Sequence, residues 1–189
     1  MGTIVVSENI TLDGVVEDPT GEEGFRHGGW FNQIGDEDRA AWAKEGLDEA
    51  LGAEAFLLGR RSYEYLAARW PSRTGEWADR LNAMPKYVVS STLTDPEWNN
   101  TTVLRSLDEV AELKKTDGGP ILVHGSPTLA KGLAAAGLVD RYHLLIFPLV
   151  LGGGKRLFTT DGADKQKLTL VEHATYSNGI QLAVYDVKR

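Results

Sequence analysis

Cysteine is absent from the chain. Disulfides, zinc–thiolate sites, iron–sulfur clusters and a cysteine nucleophile are therefore excluded. Long apolar runs are missing too, and none approaches the roughly 20 residues that a membrane helix needs. The segment Met1 to Asn9 has neither a basic start nor a small-residue cleavage site, so it does not read as a signal peptide. A soluble, cytoplasmic protein is expected. Positive charge is in deficit, with a formal net charge of −7. Nucleic acids and anionic membranes reward basic surfaces, so neither is expected as the main partner. One local basic pocket for a phosphate stays compatible with that balance. Histidines are few and scattered (His27, His124, His143 and His173), without a helical i, i+4 pair, so no metal site is expected. There is no G-x-S-x-G elbow for a serine hydrolase and no G-x-G-x-x-G run for an ordinary Rossmann site.

What is present is a globular balance: 189 residues, 42% apolar and 25% charged. That length fits one domain, 1–189, with a full layered core. Asn99 and Asn100 each begin an Asn-x-Thr sequon, which without an export signal reads as a polar loop. Patterning predicts strands at Thr3 to Glu8, Ala53 to Leu58, Lys86 to Ser91, Thr101 to Leu104, Ile121 to His124 and Asp140 to Phe147. Helices are predicted over Asp36 to Leu51, Arg61 to Arg69, Glu76 to Asn82, Leu107 to Lys115 and Pro127 to Ala136. Ser106 to Glu109 reads as a capping box, and Ser126-Pro127 as N-cap and first helical residue. Leu168 to Tyr176 and Ile180 to Val187 read as a hairpin across Ser177-Asn178-Gly179. The alternation implies an α/β fold: a mostly parallel sheet, helices on both faces, and an antiparallel C-terminal hairpin. The stretch from Thr11 to Gly35 is long, polar and Gly-rich, the kind of loop that carries function.

Three segments repeat one geometry. Leu58-Gly59-Arg60-Arg61-Ser62 joins a buried strand directly to a helix start, where free backbone N–H groups favour a phosphate. Val88-Val89-Ser90-Ser91-Thr92 ends a strand in small hydroxyl residues suited to a ribose or its 2′-phosphate. Val123-His124-Gly125-Ser126-Pro127-Thr128-Leu129 places a glycine and two hydroxyls at another helix start. Taken singly, each is also an ordinary helix start or strand end. Together they converge on the carboxyl edge of a parallel sheet, where open α/β folds bind ligands. Leu149 to Phe158 contains Gly152-Gly153-Gly154-Lys155, but Leu149 and Arg156 stand where a Walker loop needs Gly and Ser or Thr. It reads as a flexible turn.

In this order, the segments resemble the bacterial dihydrofolate-reductase-like proteins related to the reductase domain of riboflavin biosynthesis. The resemblance is carried by Ser7 with Thr11-Leu12-Asp13-Gly14, Gly59 to Glu64, Trp70-Pro71, Lys86 to Thr92, His124-Gly125-Ser126 and Pro148 to Phe158. It implies a three-layer αβα dihydrofolate-reductase-like fold and NADPH as hydride donor. Gly59, Arg60, Arg61, Ser62, Gly125, Ser126, Thr128 and Leu129 would surround the phosphates. Ser90, Ser91 and Thr92 would meet the adenosine ribose and its 2′-phosphate, with Arg60 or Arg61 as countercharge. Asp13 would act near the reacting centre, as an acid or as an orienter of one; it reads equally as a carboxylate stabilising its own turn. Trp30, Phe31 and Trp70 would wall a substrate pocket or belong to the core. The substrate class implied is a small heterocycle, as in reduction of 5-amino-6-(5-phosphoribosylamino)uracil or of a pterin.

The chain also departs from the pattern. Gly125-Ser126 replaces the Gly-Gly of dihydrofolate reductases. Their acidic residue on the first helix has no matched counterpart, because Asp36, Glu37, Asp38 and Glu45 all compete after an insertion from Gly21 to Gly35. No zinc motif of a deaminase is present, so the two-domain riboflavin enzyme is not expected. A non-catalytic nucleotide-binding protein on the same fold is the alternative, and a flavin enzyme has little support. Related proteins are often homodimers, and Leu144-Leu145-Ile146-Phe147 is a candidate for an interface or for the core.

Overall fold

The computed structural model describes residues 1–116, 118–158 and 165–189. The strands are β1 (Thr3–Thr11), β2 (Ala55–Gly59), β3 (Lys86–Val89), β4 (Thr101–Leu104), β5 (Pro120–His124), β6 (Arg141–Phe147), β7 (Lys167–Thr175) and β8 (Gln181–Lys188). The helices are α1 (Asp36–Gly52), α2 (Arg60–Ala67), α3 (Glu76–Ala83), α4 (Leu107–Thr116) and α5 (Pro127–Ala135). A short 3₁₀ turn, Trp30–Gln33, lies in the long loop before α1. Among the described residues, no helix is long and apolar enough to cross a membrane.

One sheet holds all of these strands in the order β4-β3-β2-β5-β1-β6-β8-β7. The pairs from β4 to β6 are parallel, and β8 and β7 add antiparallel to β6. The parallel strands are apolar on both sides because helices cover both faces. On one face Val6, Leu57 and Val123 pack against Val110 of α4 and Leu133 of α5. On the other, Phe56, Leu58 and Leu122 pack against Ala50 of α1, Tyr63 of α2 and Leu81 of α3. Burying each such large side chain contributes about 1.5–3 kcal/mol. Leu144, Leu145 and Phe147 are buried between β1 and β8, so that strand belongs to the core.

The insertion before α1 is held by its own polar groups. The buried Asp18 carboxylate accepts the N–H groups of Glu23 and Phe25, both at 3.0 Å. Arg69 of α2 stacks on Tyr65, with its guanidinium carbon 3.6 Å from the ring centroid, and pairs with Glu22 at 2.5 Å. The loop is thereby fixed beside α2, along the carboxyl edge of the sheet.

Local readings differ from the structure in two places. Ser126 was expected as an ordinary N-cap; it instead has φ +64°, and its side chain makes no capping bond. Of the capping box, the Ser106 hydroxyl does accept the Glu109 N–H at 3.4 Å, but the Glu109 carboxylate closes back on the N–H of Arg105 at 3.0 Å rather than on that of Ser106.

Candidate functional site

β1 runs beside β5 only as far as the pair Ser7–His124, whereas its pairing with β6 continues to Thr11–Phe147. Beyond Ser7, β1 has lost its neighbour on one side. A cavity of about 800 Å³ fills this split and extends over the ends of β2 and β5. That volume lies in the range of small-molecule and cofactor sites.

Two helix starts form one end of the cavity. Gly59 to Ser62 line it from α2, and Gly125, Ser126, Thr128 and Leu129 from α5. The first N–H groups of each helix have no partner within the helix. Gly125 has φ +65° and Ser126 φ +64°, so two successive residues are left-handed. For serine this conformation costs about 1–2 kcal/mol. The hydroxyl offsets the strain by accepting the N–H of Gly59 at 3.0 Å. The same bond joins the two helix starts. A Cβ on Gly125 would also lie 3.4 Å from Ser62 Oγ.

The basic groups lie beside this end. Arg60 donates to Glu64 at 2.7 Å and reaches Thr92 Oγ1 across the gap to the β3 exit. Arg61 is exposed, 3.9 Å from Glu23. Ser90, Ser91 and Thr92 do not line the cavity; they form a turn just outside it, with Ser90 Oγ accepting the N–H groups of Thr92 and Leu93 at 3.3 and 3.1 Å. Arg105 donates to the Ser90 carbonyl at 2.9 Å, adding a cation that the sequence reading did not single out.

The aromatic candidates separate. Trp30 is core: it meets Phe147 edge-on at 5.1 Å and donates to the Glu17 carbonyl at 2.9 Å. Phe31 and Trp70 do line the cavity, joined by Trp42 and Trp77. Centroid spacings of 4.8, 5.5 and 5.2 Å make Phe31, Trp42, Trp77 and Trp70 one continuous wall.

The other end of the cavity carries titratable groups. The register sets His124, Ser7 and His143 side by side on β5, β1 and β6. Glu49 of α1 descends onto them, accepting the Ser7 hydroxyl at 2.7 Å and meeting His143 Nδ1 in a short contact. Burial lowers the pKa of His143, but the bond to Glu49 and the charges of Glu49, Glu45 and Glu172 outweigh it, and the net shift is upward. Burial and the His143 charge press His124 downward, against an upward pull from Glu49. His143 Nε2 is enclosed without a partner among the described residues. The arrangement can hold a proton at His143 while His124 stays neutral. Glu49 and the two histidines were missed as a site, because only the strand order brings them together. The available signal was Glu45 and Glu49 at i, i+4 on one face of α1.

Other acidic candidates are engaged elsewhere. Asp13 lies outside the cavity, on a separate shallow hollow. Its carboxylate accepts Thr11 Oγ1 at 2.7 Å, Gly152 N–H at 2.9 Å and Leu151 N–H at 3.2 Å. Burial pulls its pKa up, but these bonds outweigh it and hold the carboxyl below its usual range. Asp13 is thus a clasp between the first turn and the Gly152 loop, and the structure does not bring it to the expected reacting centre. Asp38 is buried and binds the Ser177 and Asn178 N–H groups at 3.1 and 3.2 Å, tying α1 to the C-terminal turn. Asp36 and Glu37 are exposed, and Glu45 lines the cavity.

Known proteins carry the same architecture. A protein of Shewanella sp. PV-4, provisionally assigned to riboflavin biosynthesis, superposes with TM-score 0.68 at 17% identity, covering 99% of both chains. A pyrimidine reductase-like protein of Corynebacterium diphtheriae gives 0.66 at 15% identity, over 99% of this chain and 92% of that one. Dihydrofolate reductase of Enterococcus faecalis, complexed with NADP(H) and RAB-propyl, gives 0.63 at 14% identity, over 99% and 97%. The fold is therefore the dihydrofolate-reductase-like one. In sequence, the uncharacterized protein YyaP of Bacillus subtilis (strain 168) is 30% identical over 96% of this chain and 93% of its own. The family model of the RibD C-terminal domain, a family of reductase type, matches residues 2–182. With nearly its whole length matched, the chain belongs to the RibD C-terminal domain family.

Proposed function

We propose that the chain is an NADPH-dependent reductase of a small heterocyclic substrate. The observation that carries this is the single cavity with unlike ends: two helix starts at one, and a buried carboxylate–imidazole pair at the other. The residues present fit the cofactor. Backbone N–H groups of α2 and α5 would hold the pyrophosphate, where Gly125 lets the backbone approach without a Cβ. Arg60, with Ser91 and Thr92 beside it, would face the 2′-phosphate, and Arg105 adds positive charge to that corner. Bound NADPH would supply the hydride.

The protein's own part is orientation and a proton. The aromatic wall from Phe31 to Trp70 would flank a planar ring and exclude water. The His143 imidazolium, paired with the Glu49 carboxylate that Ser7 also holds, would pass its Nδ1 proton through Glu49 to the acceptor as hydride arrives. Glu49 supplies the first-helix carboxylate whose absence favoured a non-catalytic nucleotide binder. The test is steady-state oxidation of NADPH with dihydrofolate and with 5-amino-6-(5-phosphoribosylamino)uracil. Turnover with either is expected, lost by at least about 100-fold in Glu49→Gln, with NADPH affinity retained. Silence with both would contradict the choice of substrate class; unchanged turnover in the variant would contradict the proton source.

A further inference from the structure

Glu8 is an anomaly in the cavity wall. Strand alternation puts it on the same face of β1 as Val6 and Ile10, the face covered by α4 and α5. It is 7% exposed, and its Oε1 is enclosed with no hydrogen-bond partner among the described residues. The residue nevertheless lines the cavity, just past the point where β5 leaves β1. An unpartnered buried carboxyl is costly, and such groups in native folds call for an explanation. A ligand that pairs with it supplies one.

The strand order says which part of a ligand that is. The phosphate seats stand over the ends of β2 and β5, and β1 is the next strand, about 4.8 Å further on. A dinucleotide anchored there would carry its ring end toward β1, where the second ring would also sit. Resting on the reductase reading above, we propose that Glu8 acts as a neutral carboxylic acid that pairs with the cis-amide edge of a bound ring, a C=O beside an N–H. Once the side chain turns its enclosed Oε1 toward the cavity, the acid O–H donates to the ligand carbonyl and the acid C=O accepts the ligand N–H. Two rings offer that edge: the carboxamide of the nicotinamide and the lactam of a pyrimidine or pterin substrate.

Burial pushes the Glu8 pKa up to about 8, which keeps it protonated at neutral pH. The titratable and charged groups lining the cavity from the elements around β1 are His124 on β5, His143 on β6, Arg39, Glu45 and Glu49 on α1, and Glu17, Asp18, Glu23 and Lys155 in the flanking loops. The part of α5 that lines the cavity carries none. Burial alone accounts for the Glu8 shift.

The test compares the full chain with Glu8→Gln and Glu8→Val, each checked for a cooperative thermal melt. Affinities for NADPH alone and for 5,6-diaminouracil alone are measured one to two pH units on either side of 8. In the wild type, affinity for one of them should fall up to about tenfold per pH unit above that point. Gln keeps the donor–acceptor pair and cannot titrate, so its affinity should stay flat with pH. Val should weaken the same ligand about tenfold below that point. A response of NADPH assigns the carboxamide; a response of diaminouracil assigns the lactam. NADPH binding with no such pH response, and diaminouracil likewise insensitive or unbound, overturns the role of Glu8 and leaves the reductase reading standing. Failure of the wild type to bind NADPH overturns the reductase reading, while a Glu8-dependent diaminouracil response would still support the pairing. Failure of both ligands to bind overturns both.

Discussion

Ser126 shows how one residue can be strained and useful together. It occupies a left-handed conformation that glycine would accept freely, and its hydroxyl binds the first N–H of the neighbouring helix start. Ser126→Ala keeps the strain and leaves the Gly59 N–H without its partner, so it should destabilise by about 1–3 kcal/mol. Ser126→Gly relieves the strain while losing the bond, and should cost less. Chemical denaturation of both variants checks the order; Gly worse than Ala would contradict it. Glu8 makes a second prediction at this scale. Its folded pKa, about 8, lies above the 4.5 of a solvent-exposed glutamate. The folded state therefore binds the extra proton, and the associated stability is present below about 4.5 and lost as pH rises to about 8. At about 1.4 kcal/mol per pKa unit, the loss is a few kcal/mol. Wild type should lose that stability between these pH values relative to Glu8→Gln. Parallel pH–stability curves would contradict the assignment.

At the scale of elements, the helix-start end of the cavity was legible because each part is local. A buried strand, a glycine and a helix start are adjacent in sequence at Gly59 and again at Gly125. The carboxylate–imidazole cluster was not legible. Ser7, Glu49, His124 and His143 lie on four elements, and only the order β5-β1-β6 makes neighbours of the histidines. Asp13 clasps two loops, and a carboxylate in a Gly turn looks the same in sequence whether it does that or faces a ligand. Trp30 and Phe31 are adjacent, yet only the second reaches the cavity. The strand-end prediction is a difference between cofactors. Arg60→Ala should weaken NADPH about tenfold or more and NADH by less, because a charge-assisted bond to the 2′-phosphate contributes about 1.5–3 kcal/mol. Equal loss for both would place that phosphate elsewhere.

For the whole molecule, the sheet has one open end that matters. β7 is the last strand, and Leu170 and Val171 there are 48% and 47% exposed. Unpaired edges invite pairing with another chain. A homodimer, which the family resemblance implies, would therefore use β7, since Leu144, Leu145 and Phe147 of β6 are buried. Sedimentation should give a dimer for the wild type and a monomer for Leu170→Lys; a monomeric wild type would contradict this. The proposed reductase activity requires the cavity to be a cofactor site. Calorimetric titration of NADPH into the purified chain, with NADH in parallel, tests it most directly. One site per chain, binding below millimolar concentration and tighter than NADH, is predicted. No saturable binding of NADPH up to millimolar concentration would contradict it.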